Sequence, residues 1–385
     1  MSATDYKNVV IVGLGLSGVH ALETLSKALP SSHRILAISP IPGFWPVSAL
    51  RSSVVPGYEK NSIAPLDHLL PAGSRHKILE GYSVDSLQDQ SVTLDRAHPE
   101  LGREIEFDYC VLATGSSYPF PCRPPPGSTE ESIAELFKKL QAEIAESESV
   151  LILGAGPVGI ELAGEISEYY DGSSTDKAKK RVTLVHSGSR YIEQEGFKPK
   201  FGDNLKGQLE KLGVELVFNE KVDVDGRETG KLGDGENDFK LSTGQTLKAD
   251  FLFLAFGNSP NTKFLPPSYL DPTTHRVLVH PSFQTKSNPR VFAIGDISSV
   301  DEPKLYANAK NHHSVVSQNI VSLIQGRDVA SLKEYKPGAA MMVVSVGSKG
   351  GAGQLFGWVL GPWLMSIAKS KALFVPQFKQ LYAVA

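Results

Sequence analysis

The sequence predicts an α/β protein made of two Rossmann-type domains and a small α+β domain at the carboxyl end. Two motifs carry this prediction: VVIVGLGLSGVHALETL, from Val9 to Leu25, and VLILGAGPVGIELAGEI, from Val150 to Ile166. In both, an apolar strand leads into three glycines spaced G-x-G-x-x-G and then into a helical pattern. A third observation is an apolar strand that ends in Gly-Asp, NPRVFAIGDI, before another helical run. One glycine motif is weak evidence, but two in one chain indicate nucleotide binding.

The three glycines of the first motif each meet a physical need of a phosphate-binding turn. Gly13 allows the tight turn, Gly15 lets the backbone approach a pyrophosphate, and Gly18 lets the helix pack closely on the strand. The helix then presents free N–H groups and a partial positive charge to the anion. The second motif repeats this spacing with Gly154, Gly156 and Gly159.

Composition and charge limit the function further. The chain has 385 residues, enough for two or three domains, and its 39 basic and 42 acidic residues give a net charge of −3. We find no basic stripe with interleaved aromatic residues, so nucleic acid is not an expected partner. Cys110 and Cys122 lack the spacing of a redox pair or a metal site, so no metal is expected and a reducing compartment fits.

The first residues, MSATDYKN, carry no targeting signal that we recognise. They contain neither the apolar core of a signal peptide nor the Arg-rich pattern of a mitochondrial presequence. Ser2 stands where myristoylation requires a glycine. We therefore expect a cytoplasmic protein, whose association with the mitochondrial outer membrane or another membrane would have to be peripheral.

The order of the remaining markers distinguishes two bound dinucleotides from a simple duplication. The segment DYCVLATGS, with Thr114 and Gly115, precedes the second glycine motif, and FLFLAFGNSPNT, with Gly257, follows it. Gly295 and Asp296 come last, and an acid at a strand end can accept hydrogen bonds from sugar-like hydroxyls. This order is typical of flavoproteins with two dinucleotide sites. It predicts an FAD domain over 1–118 and 258–330, an inserted NAD(P) domain over 119–257, and a C-terminal domain over 331–385.

With these motifs in place, the chain resembles the small pyridine nucleotide-disulfide-type flavoproteins that lack the disulfide, within them the apoptosis-inducing factor 2 and ferroptosis-suppressor group. The resemblance is most specific in FWPVSALRSSVVPGY, from Phe44 to Tyr58, and in the tail from YKPGAAMM to AKSKALFV. It covers essentially the whole chain. It implies bound FAD, oxidation of NADH or NADPH, and reduction of a quinone at a membrane surface. We expect a monomer or a homodimer.

The resemblance also implies roles for individual residues. The glycines of the first motif would face the FAD pyrophosphate, and Asp296, after Gly295, would contact the ribityl or pyrophosphate region. Thr114 and Gly115 would pack near the flavin. Arg51 would lie near the FAD phosphates or the isoalloxazine ring. Gly257 and the glycines of the second motif are assigned to the cofactor sites as well.

One position departs from the usual pattern of the first unit. The second strand ends in RILAISP, which places Ser39 where an Asp or Glu normally binds the adenosine ribose. A hydroxyl replaces only part of that charge-assisted hydrogen bond. We therefore expect Ser39 at the ribose, with a weaker contact.

Hydride transfer requires stacked nicotinamide and flavin rings and the exclusion of water. The resemblance places Glu161 where it would fix or polarise the nicotinamide; the alternative is a surface glutamate paired with a cation. Glu165, one turn on, is explained at least as well by a solvated or salt-bridged helix face. His312 would donate to a flavin or quinone carbonyl, although a histidine near a helix start is more often packed or capping. Lys369 would lie close to the active site.

The choice between NADH and NADPH depends on the segment RVTLVHSGSR. An acid after this strand would bind the 2′-hydroxyl and repel a 2′-phosphate. The chain offers His186, Ser187 and Arg190 instead. We therefore expect NADPH or both nucleotides, with His186 and Arg190 near the phosphate; a solvated Arg190 is the alternative.

An uncharged stretch of 19 residues, from Gly350 to Ala368, is long enough to suggest a transmembrane helix. Its five glycines and Pro362 argue against one. We expect a strand over 354–360 and a helix that begins at Pro362. Most of this stretch is expected to be core structure of a small C-terminal domain. The alternative is that five apolar residues in and after it form a quinone channel or a membrane-contact edge near Lys369 and Lys371. They are Phe356, Trp358, Trp363, Leu364 and Phe374.

These observations favour an FAD-dependent NAD(P)H oxidoreductase that passes electrons by a ping-pong route to a quinone or another small acceptor. A type II NADH dehydrogenase-like enzyme should carry a longer amphipathic anchor than QFKQLYAVA. A ferredoxin or monodehydroascorbate reductase would differ in its acceptor. Outside the enzymes, the alternative is a flavin-based redox-sensing or cell-death signalling protein with incidental turnover.

Overall fold

The computed structural model describes residues 6–173, 177–192 and 196–383. Its helices are α1 (Leu16–Ala28), α2 (Pro46–Ser52), α3 (Glu130–Glu146), α4 (Pro157–Tyr169), α5 (Pro199–Lys211), α6 (Tyr306–Ile324), α7 (Pro362–Met365) and α8 (Val375–Leu381). A π-helix covers Ser366–Ser370, and short 3-10 helices cover Glu59–Asn61, Asp67–Leu69, Pro267–Tyr269, Gly295–Ile297 and Val329–Ser331.

The strands follow in chain order. They are β1 (Lys7–Val12), β2 (His33–Ser39), β3 (Gly43–Phe44), β4 (Ile63–Ala64), β5 (Lys77–Glu80), β6 (Val84–Leu87), β7 (Ser91–His98), β8 (Gly102–Glu106), β9 (Tyr109–Leu112), β10 (Ser116–Ser117), β11 (Ser149–Leu153), β12 (Arg181–Val185), β13 (Glu215–Val217), β14 (Gly230–Lys231), β15 (Asp238–Lys240), β16 (Thr246–Lys248), β17 (Phe251–Leu254), β18 (Ser259–Pro260), β19 (Val291–Ala293), β20 (Met342–Val346), β21 (Gly350–Leu355) and β22 (Trp358–Leu360).

The first sheet has the order β19-β9-β1-β2-β5, and all its pairings are parallel. Alternate residues of β1 enter different cores. Val9 and Ile11 pack on the side of α1 and α6, whereas Val10 and Val12 pack on the side of β7. Both faces are therefore covered, which explains why these strands are continuous apolar runs rather than alternating ones.

The second sheet has the order β13-β12-β11-β17-β14 and is parallel except at its edge, where β14 runs antiparallel to β17. Residues of α3, α4 and α5 share a core with β11, β12 and β17. Each glycine motif thus joins a central strand, β1 or β11, to the helix that packs on it. The α/β class with two Rossmann-type sheets, predicted from the sequence, is confirmed.

The chain passes from the first sheet to the second and back at one place. The two-residue strands β10 and β18 pair antiparallel there, with Ser117 opposite Ser259 and Ser116 opposite Pro260. The Asn261 side chain donates to the carbonyl of Thr114 at 2.8 Å and fixes this crossing.

The carboxyl-terminal residues form an antiparallel sheet, β20-β21-β22, followed by the short helices. The strand expected over 354–360 is wrong in one respect, because Phe356 and Gly357 have φ values of +50° and +79° and turn the chain into a hairpin. A helix does begin at Pro362. The last helix returns to the first unit, where the Tyr382 hydroxyl donates to the carbonyl of Leu14 at 3.1 Å. Among the residues described, no helix is both long and apolar enough to span a bilayer.

Candidate active site

A cleft with a volume of about 340 Å³ lies at the carboxyl ends of β1, β2, β9 and β19. Parallel sheets commonly bind their ligands at this edge. The first glycine loop forms one wall, and the start of α6 lies beside it. The opposite wall includes Val158 and Glu161 of α4 and Lys369 of the π-helix. A second cavity of about 310 Å³ adjoins the cleft and shares Gly13 and Thr114 with it.

The first glycine loop has the geometry that a bound diphosphate requires. Gly13 has a φ of +97°, and a Cβ there would lie 2.7 Å from the carbonyl oxygen of Ala113. A Cβ at Gly18 would lie 1.9 Å from the carbonyl oxygen of Gly13, so the helix packs on the turn itself. At Gly15 a Cβ would meet no protein atom within 4 Å. The space beside Gly15 is therefore left for a ligand.

The start of α1 adds the electrostatic part of this fit. Its N-cap residue, Gly15, has no side chain that could cap the first N–H groups of the helix. The residues that follow, Leu16 and Ser17, line the cleft. Their backbone N–H groups and the positive end of the helix suit the pyrophosphate of FAD.

Asp296 follows β19 and lines the cleft within a group of basic side chains. Burial raises the pKa of its carboxyl, while the charges of Lys304, Arg276 and Arg123 oppose that shift. Burial also lowers the pKa of Lys304. A carboxylate held among cations suits hydroxyl donors of a ribityl chain, and those cations suit phosphate.

Three further predicted residues lie on the cleft. Thr114 donates its hydroxyl to the carbonyl of Asn261 at 2.9 Å, and Gly115 has a φ of +65°. The Ser39 hydroxyl donates to the carbonyl of Ile41 at 2.8 Å. Because its proton is thus used, Ser39 offers a ribose only acceptor lone pairs.

Glu161 and Lys369 meet on the wall of the cleft across from the first glycine loop. Their side chains are buried and form a short ion pair. Glu161 also accepts from the backbone N–H of Ser345 at 3.0 Å, and Lys369 donates to the carbonyl of Val343 at 3.0 Å. The alternative from the sequence was a surface glutamate paired with a cation. Glu161 is paired with a cation, but the pair lies in the cleft and not on the surface.

The second glycine loop repeats the geometry of the first at the carboxyl end of the other sheet. Gly154 has a φ of +107°, and a Cβ at Gly159 would lie 1.9 Å from the Gly154 carbonyl oxygen. A Cβ at Gly156 would meet no protein atom within 4 Å. Gly257 follows β17 at the same edge. The parallel strands thus gather these residues at one edge, apart from the FAD cleft.

His186, which follows β12, closes this second loop. Its Nδ1 accepts from the backbone N–H of Ala155 at 3.4 Å. Arg190, four residues further along, is exposed. Both residues lie on the chain after the strand, where the nucleotide-selecting group is expected.

Comparison with known proteins identifies the family. The family model for pyridine nucleotide-disulphide oxidoreductases matches residues 7–312. The chain belongs to this family. It is an FAD-dependent oxidoreductase that uses NADH or NADPH, as the sequence predicts.

Relatives support the finer grouping. Apoptosis-inducing factor 1 of Saccharomyces cerevisiae is 30% identical over an alignment of 397 positions that covers 98% of each chain. Ferroptosis suppressor protein 1 of Xenopus tropicalis is 28% identical over an alignment of 380 positions that covers 97% of this chain and 96% of the relative. The fold resembles that of a sulfide:quinone oxidoreductase from Aquifex aeolicus, with a TM-score of 0.74, 17% identity, and coverage of 98% and 91%. The predicted resemblance to apoptosis-inducing factor and ferroptosis suppressor proteins is confirmed.

The family name refers to a disulfide, but both cysteines of this chain are free thiols. Cys110 is buried in β9, and Cys122 lines the cleft. Burial and the charge of Glu161 raise the pKa of Cys122 to about 12. Such a thiol is a poor nucleophile.

Two predicted site residues of this family member lie elsewhere. Arg51 was expected at the FAD phosphates or ring, but its guanidinium forms a buried ion pair with Glu165 at 2.7 Å. His312 was expected at the flavin, but its side chain is 1% exposed and packs against Phe283 and Tyr335. Neither residue lines the cleft, and the polar atoms of both side chains are bound by protein groups.

Sequence reasoning missed Arg123 and Lys304, two cations that line the cleft and whose charges act on Asp296. Arg123 donates to the carbonyls of Thr114 and Ser116 at 3.0 and 2.8 Å. It lies in the segment PCRPPP, which reads as a linker because of its prolines. A single arginine in a segment otherwise free of charge was the available signal.

Proposed function

We propose that this flavoprotein is an NAD(P)H:quinone oxidoreductase. The observation that carries the proposal is the buried Glu161–Lys369 pair, which forms a polar end on an otherwise apolar wall of the cleft. The apolar part of the lining includes Phe44, Val47 and Leu50. A ring with one or two carbonyl oxygens fits such a wall.

The overall reaction is NAD(P)H + H⁺ + quinone → NAD(P)⁺ + quinol. When bound, FAD accepts the hydride and returns two electrons to the acceptor. Glu161 accepts hydrogen bonds and can hold the nicotinamide carboxamide in register. Lys369 can donate a hydrogen bond from Nζ to a quinone oxygen. Since burial keeps Cys122 protonated, a thiol relay is not part of this route.

We also propose that the quinone comes from a lipid surface. Five of the large apolar side chains that are exposed lie close together in the chain, and we call them the apolar edge: Phe356, Trp358, Trp363, Leu364 and Ile367. Trp358 and Trp363 are 76% and 73% exposed. Phe374, predicted to join them, packs against the core of the first unit instead.

Charge favours the same surface. Residues 335–385 contain five lysines and no Asp or Glu, whereas the whole chain has a net charge of −3. Exposed tryptophans beside lysines suit the interface of an anionic bilayer. Lys369 connects this edge to the cleft, because the π-helix that exposes Ile367 directs Lys369 inward.

The function is tested by anaerobic mixing of the FAD-loaded protein with NADH or NADPH, followed by a short-chain ubiquinone. We expect the flavin absorbance to bleach and the quinone to restore it at a catalytic rate. Glu161→Gln and Lys369→Met should slow at least one half-reaction while FAD stays bound. A flavin that bleaches but stays reduced with every quinone would contradict the proposal and favour a redox sensor.

The lipid surface is tested by flotation with vesicles. Trp358→Ser with Trp363→Ser should reduce binding to anionic vesicles by about tenfold. The matched control is Phe256→Ser with Val329→Ser, which removes exposed apolar side chains outside the edge. Equal binding by both double variants would contradict docking at the apolar edge.

A further inference from the structure

Helix α4 carries two buried carboxylates one turn apart, and each is paired with a cation from a different part of the chain. Glu161 binds Lys369 of the π-helix, and Glu165 binds Arg51 of α2. The first pair lies on the cleft. The second has no place in the proposed reaction, which raises the question of what it does.

The guanidinium of Arg51 makes contacts in two directions. Its Nε and Nη2 donate to the two carboxylate oxygens of Glu165 at 2.8 and 2.7 Å. Its Nη2 and Nη1 also donate to the carbonyls of Ser370 and Lys371 at 2.8 and 3.2 Å. The planar fork of arginine allows this double role, which a lysine cannot reproduce. Arg51 therefore ties the end of the π-helix to α4.

The π-helix needs such a partner at its carboxyl end. The segment is a single turn, a rare conformation that often marks functional sites. Leu373 and Phe374 have φ values of +50° and +54°, so the helix cannot continue through them. Carbonyls at the end of such a helix need donors from elsewhere, and Arg51 supplies them to Ser370 and Lys371.

This anchor bears directly on the direction of Lys369. Lys369 immediately precedes Ser370, one of the two residues whose carbonyls Arg51 holds. Its side chain is buried, whereas the side chains of Ile367 and Lys371 on either side are exposed. A rotation of this turn about its axis would move Lys369 from the cleft wall toward solvent.

We propose that Arg51, held by Glu165, is a positioning residue that fixes the π-helix in the orientation that brings Lys369 to Glu161 on the cleft wall. The inference rests on the proposed function for the importance of Lys369 in turnover, but the placement itself is tested separately. Burial raises the pKa of Glu165 and the hydrogen bonds and charge of Arg51 oppose it, so the carboxylate depends on this partner.

The experiment measures acetylation of Lys369 in the FAD-loaded protein by N-hydroxysuccinimidyl acetate, read by peptide mass spectrometry. Lys371 is the internal reference because it is exposed two residues away. In Arg51→Gln we expect the rate at Lys369, relative to Lys371, to rise about tenfold. Arg34→Gln is the matched control, since Arg34 is also buried but bonds Asn8 at the far end of the first sheet.

Flavin reduction by NADPH or NADH gives the second readout. We expect Arg51→Gln to lower its limiting rate about tenfold with little change in the nucleotide concentration at half-saturation. Combined with Lys369→Met, the Arg51 substitution should add little further loss, because both act through one side chain. A general loss of packing would instead lower the limiting rate, raise the nucleotide concentration at half-saturation, and have the same effect in Arg34→Gln.

The outcomes separate the two proposals. If Lys369 becomes reactive while flavin reduction is unchanged, the placement by Arg51 stands and the role of Lys369 in turnover is wrong. If Lys369 stays as protected as in the parent protein, the placement is wrong whatever the activity. Where Arg51→Gln does not fold, Glu165→Gln gives the same test, since it keeps the shape of the partner and removes its charge.

Discussion

The backbone N–H of Gly295 donates a hydrogen bond to Nδ1 of His312 over 3.1 Å. Nδ1 is thereby an acceptor, so the proton of the neutral ring lies on Nε2, which donates to Glu302 at 2.7 Å. The Tyr335 hydroxyl donates to the other oxygen of Glu302 at 2.8 Å. His312 thus holds the turn that carries Asp296. Both of its ring nitrogens contact protein groups, in place of the expected contact with the flavin.

We therefore predict that His312→Ala acts on stability and on FAD retention. Removal of the ring leaves a cavity and takes one hydrogen-bond donor from the buried carboxylate of Glu302, which should cost about 3 kcal/mol of unfolding free energy. Urea unfolding and the flavin content of the purified protein measure the effect. Normal stability with a selective loss of flavin reduction would restore the catalytic interpretation of His312.

The two glycine loops allow a matched pair of substitutions. Gly15 and Gly156 have ordinary φ values of −71° and −73°, and a Cβ at either position meets nothing within 4 Å. Valine should therefore leave folding intact and remove only the space for a ligand. We expect Gly15→Val to lose FAD. We expect Gly156→Val to keep FAD and to lose flavin reduction by NAD(P)H, measured by absorbance under anaerobic conditions; loss of FAD from both would contradict the assignment of the two loops.

Arg190 provides a test of nucleotide choice. If it contacts a 2′-phosphate, Arg190→Glu should raise KM for NADPH about tenfold more than KM for NADH. Arg181→Glu is the control, because Arg181 begins β12 at the opposite end from His186. Steady-state kinetics with both nucleotides measure the effect, and equal changes in the two KM values would rule out the contact.

The lowered pKa of His313 predicts that the free energy of unfolding decreases in acid. Burial, with the nearby charge of His20, lowers its pKa to about 4, whereas the unfolded chain titrates near 6.5. Between these values the unfolded state binds the additional proton, so stability is complete above about pH 6.5 and falls as the pH drops toward 4. Because the side chain is only half-buried, we expect a loss of about 1 kcal/mol.

The check is thermal unfolding across this range. His313→Gln should flatten the curve, and His280→Gln, which replaces an exposed histidine, should not. A parent protein whose Tm is as high at pH 4.5 as at pH 7 would contradict the prediction.

The sequence predicted those parts of the site that depend on local chemistry. The glycine turns, Asp296 after a strand and the order of these motifs along the chain follow from neighbouring residues and from the geometry of parallel sheets. Arg51 was misplaced because its partner, Glu165, is 114 residues away in the chain. No local pattern distinguishes an arginine that binds phosphate from one that binds a distant carboxylate.

His312 was misplaced for a related reason. Its position after Gly295 and Asp296 indicates proximity to the flavin, but which side of α6 it occupies depends on Glu302 and Tyr335. Glu161 and Lys369 were both named from resemblance, and their direct pairing could not be read from the sequence. Their position stays a structural observation, and their roles in turnover stay predictions.

The pairing of β10 with β18 brings the two ends of the second Rossmann-type unit together. Because Ser117 lies opposite Ser259, the points of entry and exit are about 5 Å apart, a gap that a tight turn can bridge. The unit is also joined to the rest of the chain by α4, whose Glu161 and Glu165 pair with Lys369 and Arg51. A unit from another member of the family can therefore replace it, and transfer its nucleotide preference, when it keeps both acids at these positions of α4.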